Sequence, residues 1–454
     1  MKSALQSLAV TLALVAAACA PAENRDSLPR DADALLEALH ASGNFSGAVI
    51  IGRDGAVAYK GAFGRADRTR PFTLDTAADG ASLAKTVTAA VIWRLVADGA
   101  VTLDDPVQKY VAEFPYPAVT IRHLLSHTAA VPDYDAFMPV LESGQAVSNL
   151  GLQALMRRSS PVPLREPGAT YRYCNICYDT LALLVERVTG ESYAKHAVQD
   201  YLGALGARRA FLRPTRFADW PEPRTIGFRS AVDGADIYDV FDNEALYGGS
   251  NIYFTARDLH AWARAWIEGR ALPPAVVDEA LAPARIGNHS SAISLTSWYC
   301  APARDRCYYT GHHQGFFNFV YWDRTRDLSV AFVSNNTLPG PLQPWLMRAL
   351  VALAQGEKAA PPPSLPPKTL NADIAATAGR YVVPGIGAVE IFAAADGARV
   401  RIDGGPDYQL YQIGYVVLYA PGLDAYLSFT PPSEGNAGRM KFESVFTSAQ
   451  AAKS

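Results

Sequence analysis

Apolar and polar positions along the 454-residue chain change period several times, and each change marks an element. The opening MKSALQSLAVTLALVAAACA, residues 1–20, has a Lys near its start, an apolar run and then small residues. That is the pattern of a secretory signal, not of a folded segment. In FSGAVIIGRDGAVAYKGAFG two apolar strands flank Arg53-Asp54-Gly55, which predicts a hairpin. In DGASLAKTVTAAVIWRLVADG, residues 79–99, Leu83, Val87, Ala90, Val91 and Leu95 recur at helical spacing, and Gly99 stands where helices stop. Residues 100–300 mix helical patterns such as LALLVERVTG and ARDLHAWARAWIEG with Pro- and Gly-rich loops. Strands return in YYTGHHQGFFNFVYWD and DLSVAFVSNN, joined by the turn RTR, and the helix pattern PLQPWLMRALVALAQG follows.

This order predicts an α+β domain over 21–358: an antiparallel sheet built from both ends of the segment, flanked by helices, with an inserted helical lobe. AAPPPSLPPK is too proline-rich for a helix or interior strand, so 359–370 reads as a semi-rigid linker. Beyond it, over 371–454, AVEIF, Asp396-Gly397 and ARVRI form a hairpin signal, and YQIGYVVLY, AYLSF and KFESVF add short strands. An all-β domain, sandwich or barrel, follows, with no catalytic cluster legible in it. The length itself suits two or three lobes.

Charge narrows the partners. With 41 basic against 44 acidic residues and no Lys/Arg-rich run, nothing marks a nucleic-acid surface. No second apolar run is long enough to span a bilayer, so the exported chain is expected in the periplasm or tethered to a membrane. Cleavage fits either of two sites: before Cys19, where AAAC resembles a lipoprotein box and would place a lipid anchor, or after Ala20. Of five cysteines, a lipidated Cys19 leaves Cys174, Cys177, Cys300 and Cys307 as an even set. Cys300 and Cys307 bracket APARDR, spaced for a stapled hairpin or for two buried thiols. Cys174 and Cys177 form CxxC without thioredoxin-like surroundings.

Three clusters carry candidate chemistry. Ser82 and Lys85, three apart, share one helical face; a lysine buried among apolar neighbours such as Leu83, Ala84 and Val87 can be neutral and activate a serine. Ser-x-x-Lys is short, however, and a snorkelling surface lysine fits it equally. Tyr173 and Asn175, two apart in YRYCNICYDT, point the same way in an extended segment and would present a phenol and a carboxamide to one cleft. A buried tyrosine and a helix-capping asparagine are the plainer reading. Gly311 in YYTGHHQGFFNF would let another backbone or a ligand approach the strand closely.

Together, SLAK, YCN and YTG resemble the three motifs of the serine β-lactamase and penicillin-binding protein superfamily, specifically its class C and esterase-like branch. The resemblance covers about residues 40–355, and VTLDDPVQKYV, IRHLLSHTAAVPDY and YGGSNIYFTARDLHAW add to it. It implies a β-lactamase/transpeptidase-like fold with a C-terminal lipocalin-like barrel, a small-molecule or peptide substrate and no cofactor. It also implies Ser82 as nucleophile, Lys85 as its activator, Tyr173 as general base and then acid, and Asn175 as an orienting group. Tyr309, Thr310, Gly311 and His312 would line the substrate, with the NH groups of Ser82 and His312 as oxyanion hole. Tyr309 departs from the usual Lys or His of the third motif; a phenol offers no charge to a substrate carboxylate, which favours neutral esters or amides, unless an arginine from elsewhere restores the charge. TAADG, before the nucleophile, lacks the usual Phe/Ile-rich lead-in.

Two rivals remain. His123 and His127 suggest a metal hydrolase, but HLLSH lacks the glutamate of HExxH, and His312 and His313, adjacent on a strand, point to opposite faces. A non-catalytic envelope module on a hydrolase fold is the other, against which Ser82, Lys85 and Tyr173 stand intact.

Overall fold

The computed structural model describes residues 27–452 except 142, 144–145, 160–161, 229–244, 314, 364–376, 395–396, 415–416 and 431–438. The signal segment with Cys19, linker residues 364–370 and Asp396 of the expected C-terminal turn lie outside the described residues.

The hairpin forms as Gly47–Arg53 and Ala56–Phe63, and Asp54 (φ 52°) and Gly55 (φ 77°) take the left-handed conformations that a tight two-residue turn requires. Gly47–Arg53 pairs antiparallel with Leu328–Ser334, so the two ends of the domain share one sheet, as the strand pattern predicts. That eight-stranded sheet runs from Ala56–Phe63 through Gly47–Arg53, Leu328–Ser334, Phe316–Asp323, Arg306–His313, Tyr299–Cys300 and His289–Ser294 to Pro283–Ile286. Phe316–Asp323 and Leu328–Ser334 are buried along their whole length, which explains why they read as continuous apolar runs. Helix Ala256–Ile267 covers them, stacking Trp266 on Trp322 at 5.6 Å with the ring planes 4° apart.

On the same face lies the nucleophile segment, with the helical lobe beyond it: Asn318 Nδ2 donates to the Asp79 carbonyl at 2.8 Å, and Trp262 Nε1 of the covering helix donates to Thr86 Oγ1 at 3.0 Å. The segment is a 3-10 turn, Ala81–Leu83, running into helix Ala84–Ala97, which ends before Gly99 (φ 72°). This helix is buried on nearly every side because it is packed among the helical segments Asn175–Thr189, Pro274–Ala280 and Ala194–Leu202.

In the C-terminal part the described strands pair as two antiparallel sheets, one of four strands from Gly379–Val383 to Tyr408–Gln409 and one of five from Tyr411–Gly414 to Ser448–Ala452. A closed barrel is not among the described pairings. The five-stranded sheet and its turns dock on the eight-stranded sheet, where Tyr308 Oη donates to Asp424 and Ser291 Oγ donates to the Gly422 carbonyl at 2.9 Å, and on helix Leu342–Ala354, where Arg348 pairs with Glu443. Burial lifts the Asp424 carboxyl well above its ordinary value, against the hydrogen bond from Tyr308. Both cysteine pairs, Cys300–Cys307 and Cys174–Cys177, are disulfides.

Candidate active site

Two local devices hold Ser82. Ala81, immediately before it, is in the left-handed region (φ 47°), a conformation costly for a residue with a Cβ, and donates its NH to Asp79 Oδ1 at 2.8 Å. Asp79 is fully buried, and its other oxygen meets His313 Nδ1 at 3.1 Å. Burial opposes its charge, but His313 and the field of Arg213 prevail and hold the carboxyl below its ordinary value. TAADG thus supplies an anchoring carboxylate where the family's lead-in is apolar.

The glycine of the third motif meets another backbone. A Cβ at 311 would lie 1.9 Å from the Gly80 carbonyl oxygen, so only glycine lets strand Arg306–His313 run against the Ser82 turn. Thr310 and His312, on either side of it, line the same cavity as Ser82.

Tyr173 Oη lies 2.7 Å from Ser82 Oγ, donating to it, and Lys85 Nζ lies 3.3 Å from the same oxygen. Lys85 is fully buried, though not in the apolar surround its sequence neighbours suggest. Its amine donates to Asn175 Oδ1 at 2.8 Å and to the Gly249 carbonyl at 2.7 Å, so with Ser82 all three donor directions of an ammonium have acceptors. Two buried carboxyls add to that field. Asp133 accepts from the NH groups of Asn175 and Ile176 and from Asn175 Nδ2, all at 3.0–3.1 Å; its pKa is raised by burial, against those bonds. Asp179 accepts from Tyr134 Oη at 2.6 Å and Gly249 N at 3.1 Å, and burial pushes it up to about 7.

Asn175 therefore has partners at both ends of its carboxamide and ties Lys85 to Asp133. It is also the first residue of helix Asn175–Thr189, whose cap is the preceding Cys174, its Sγ accepting from Cys177 N at 3.1 Å. Behind Tyr173 stands His127, stacked on it with ring centroids 4.7 Å apart, its Nδ1 accepting from Cys174 N at 3.1 Å. Burial keeps His127 neutral, well below its ordinary pKa. His123 instead caps its own helix by accepting from Thr120 N, so the two histidines of HLLSH do separate work. Tyr309 is 2% exposed and stacks on Tyr299 at 5.4 Å, turning a ring rather than a charge toward the site.

Ser82, Tyr173, Asn175, Tyr309, Thr310 and His312 open onto one cavity of about 380 Å³. Gln409, Tyr411, Tyr419 and Pro421, from the C-terminal part of the chain, line the same cavity. Such a constellation can move a proton between a phenol and a serine hydroxyl in an aromatic pocket beside a buried amine.

Comparison with known proteins identifies the family. A family model described as Beta-lactamase matches residues 32–354. The chain belongs to the beta-lactamase family. Among relatives of this beta-lactamase-family chain, Penicillin-binding protein 4* of Bacillus subtilis (strain 168) is 34% identical over 163 residues, 35% of this chain and 36% of that protein. Esterase EstB of Burkholderia gladioli is 31% identical over 273 residues, 51% of this chain and 68% of the esterase. The chain thus spans about a third of the first relative and two thirds of the second. The octameric penicillin-binding protein homologue from Pyrococcus abyssi superposes with a TM-score of 0.62 over 93% of this chain and 99% of its own, at 19% identity, a likeness of fold alone.

Asp79, Asp133, Asp179 and Gly249 escaped the sequence reading, and His127 entered it only as a candidate metal ligand, whereas it stacks behind Tyr173. Asp133 lies in IRHLLSHTAAVPDY and Gly249 in YGGSNIYFTARDLHAW, stretches that carry family likeness without a motif of their own. The tyrosine-dense YQLYQIGYVVLY was the one available sign that the C-terminal domain reaches the site.

Proposed function

We propose that this chain is an exported serine hydrolase that acts through an acyl-enzyme on neutral esters or amides, of esterase or D-amino-acid-peptidase type. The observation that carries it is the contact of Ser82 Oγ with Tyr173 Oη at 2.7 Å, beside Lys85 Nζ. Tyr173, reacting as the phenolate with its own proton already released to solvent, takes the Ser82 proton as Oγ attacks the substrate carbonyl. The NH groups of Ser82 and His312 receive the developing oxyanion. Tyr173 then returns the proton to the leaving oxygen or nitrogen, and alcohol or amine departs, leaving the acyl group on Ser82. A water molecule, deprotonated in the same way, releases the acid.

The neutral-substrate reading is supported by Tyr309, which is buried and uncharged at the position where the motif usually carries a cation. A carboxylate-bearing substrate, a lactam or the end of a D-peptide, is favoured only by Arg172 at the cavity edge, and Asp135 already pairs with it at 3.2 Å. Export to the periplasm, soluble or lipid-tethered at Cys19, is supported by the signal pattern of residues 1–20 and by two disulfides.

Intact-mass spectrometry after treatment with a fluorophosphonate, and separately with a penicillin, tests the proposal. One fluorophosphonate adduct, lost in Ser82→Ala, is the expected result; no adduct on folded protein overturns it, and penicillin labelling replaces the neutral substrate with an anionic one.

A further inference from the structure

The cavity at Ser82 is walled on one side by residues from beyond the linker, and those residues are aromatic. Tyr411 and Tyr419 line it together with Tyr299 and Tyr309, so four tyrosines, two from each side of the linker, border the space next to the nucleophile. Tyrosine at a binding site can offer a hydroxyl or a ring face, and here the hydroxyls are committed. Tyr299 Oη donates to the Pro421 carbonyl at 2.9 Å and contacts Tyr419 Oη at 2.9 Å. Tyr411 Oη donates to Gln409 Oε1 at 2.9 Å, and the Tyr309 hydroxyl pairs with Tyr173. What remains for a ligand is the flat ring surface.

Charge is spent in the same way. Among the described residues lining the cavity, Arg172 is paired with Asp135, and Asp133 is held by the first NH groups of helix Asn175–Thr189. A substrate carboxylate would meet an arginine whose charge Asp135 already offsets, whereas an uncharged planar group needs no such partner.

We propose that Tyr411 and Tyr419 of the C-terminal domain complete the acyl-binding pocket and select substrates whose acyl part carries an uncharged aromatic group. The wall is a built element, not a loose flap. The bonds of Tyr299 to Tyr419 and Pro421 cross between the domains, and Gly422 is packed so tightly that a Cβ there would come within 2.4 Å of Tyr408 and 2.7 Å of Tyr171. A cavity of about 380 Å³ has room for a phenyl-bearing acyl group together with its leaving group.

This inference rests on the serine-hydrolase reading, and its test separates the two. The full chain is assayed with p-nitrophenyl acetate, phenylacetate and succinate, and fluorophosphonate labelling of Ser82 is measured in parallel. The wild type is expected to favour phenylacetate over acetate by about tenfold or more in kcat/KM and to disfavour the anionic succinyl ester. In Tyr411→Ala and Tyr419→Ala the phenylacetate-to-acetate ratio should fall about tenfold, while Tyr411→Phe, which keeps the ring, should retain it. If the alanine variants do not fold, the wild type still decides: benzylboronic acid should inhibit at least about tenfold more strongly than methylboronic acid. Labelled Ser82 with equal ratios in folded wild type and alanine variants, or equal boronate potencies, overturns this inference alone. Unlabelled Ser82 without ester turnover overturns the hydrolase reading and this inference with it.

Discussion

Tyr173 is held from two sides: its hydroxyl contacts Ser82 Oγ at 2.7 Å, and its ring stacks on His127 at 4.7 Å between centroids. Tyr173→Phe removes the first contact and keeps the second. Turnover of a neutral ester should therefore fall by about 10²–10⁴-fold in kcat with the melting temperature nearly unchanged. Stopped-flow kinetics and calorimetry on the same preparation check this; full turnover in the phenylalanine variant would remove Tyr173 from proton transfer.

Lys85 has a structural duty besides its chemical one, because Asp133 and Asp179 are buried within its field. Lys85→Met should abolish Ser82 labelling and also cost about 3–5 kcal/mol of stability, the penalty for leaving buried charge without its partner. Lys85→Arg keeps the charge but cannot reproduce three convergent donors in a space shaped for an amine, so labelling should stay lost. Urea denaturation followed by tryptophan fluorescence measures the first effect, mass spectrometry the second.

Gly311→Ala would place a methyl 1.9 Å from the Gly80 carbonyl, which is backbone and cannot swing aside. The strand and the Ser82 turn must separate. Loss of about 1–3 kcal/mol is expected, with labelling reduced far more than stability, since the turn carries the nucleophile. Equal labelling rates for variant and wild type would show that the contact is slack.

Burial raises the Asp179 carboxyl to about 7, from near 4 in an unfolded chain. Between those values the folded state holds a proton that the unfolded state has lost, so this group makes stability fall as pH rises, with its full cost present above pH 7. Asp179→Asn should flatten the urea midpoint between about pH 4 and 7 relative to wild type. A wild-type slope that survives in the variant would assign it to another group.

Much of the site was legible where the relation is local or purely steric. Ser82 and Lys85 are three apart on one turn, Tyr173 and Asn175 are two apart at a helix start, and Gly311 marks a close backbone approach whatever the partner. The sheet was legible because its strands alternate or run apolar and their order closes on itself. The surroundings of Lys85 were misjudged for a definite reason: Leu83, Ala84 and Val87 are its neighbours in sequence, but its hydrogen-bond acceptors beyond Ser82 come from Asn175 and Gly249. No local pattern announces a pairing between segments so far apart. The same holds for Tyr411 and Tyr419, whose place in the cavity depends on how two domains dock, and for the left-handed turn at Ala81, a conformation that alanine does not advertise.

The docked C-terminal sheets also change what a shortened chain would be. Cut at the linker, the protein would lose the partners of Tyr299, Tyr308 and Ser291 and bare a patch of tyrosine faces beside an open nucleophile. Such a fragment would be sticky and indiscriminate rather than a smaller version of the whole. The floor of the cavity is therefore finished only when both ends of the chain are in place.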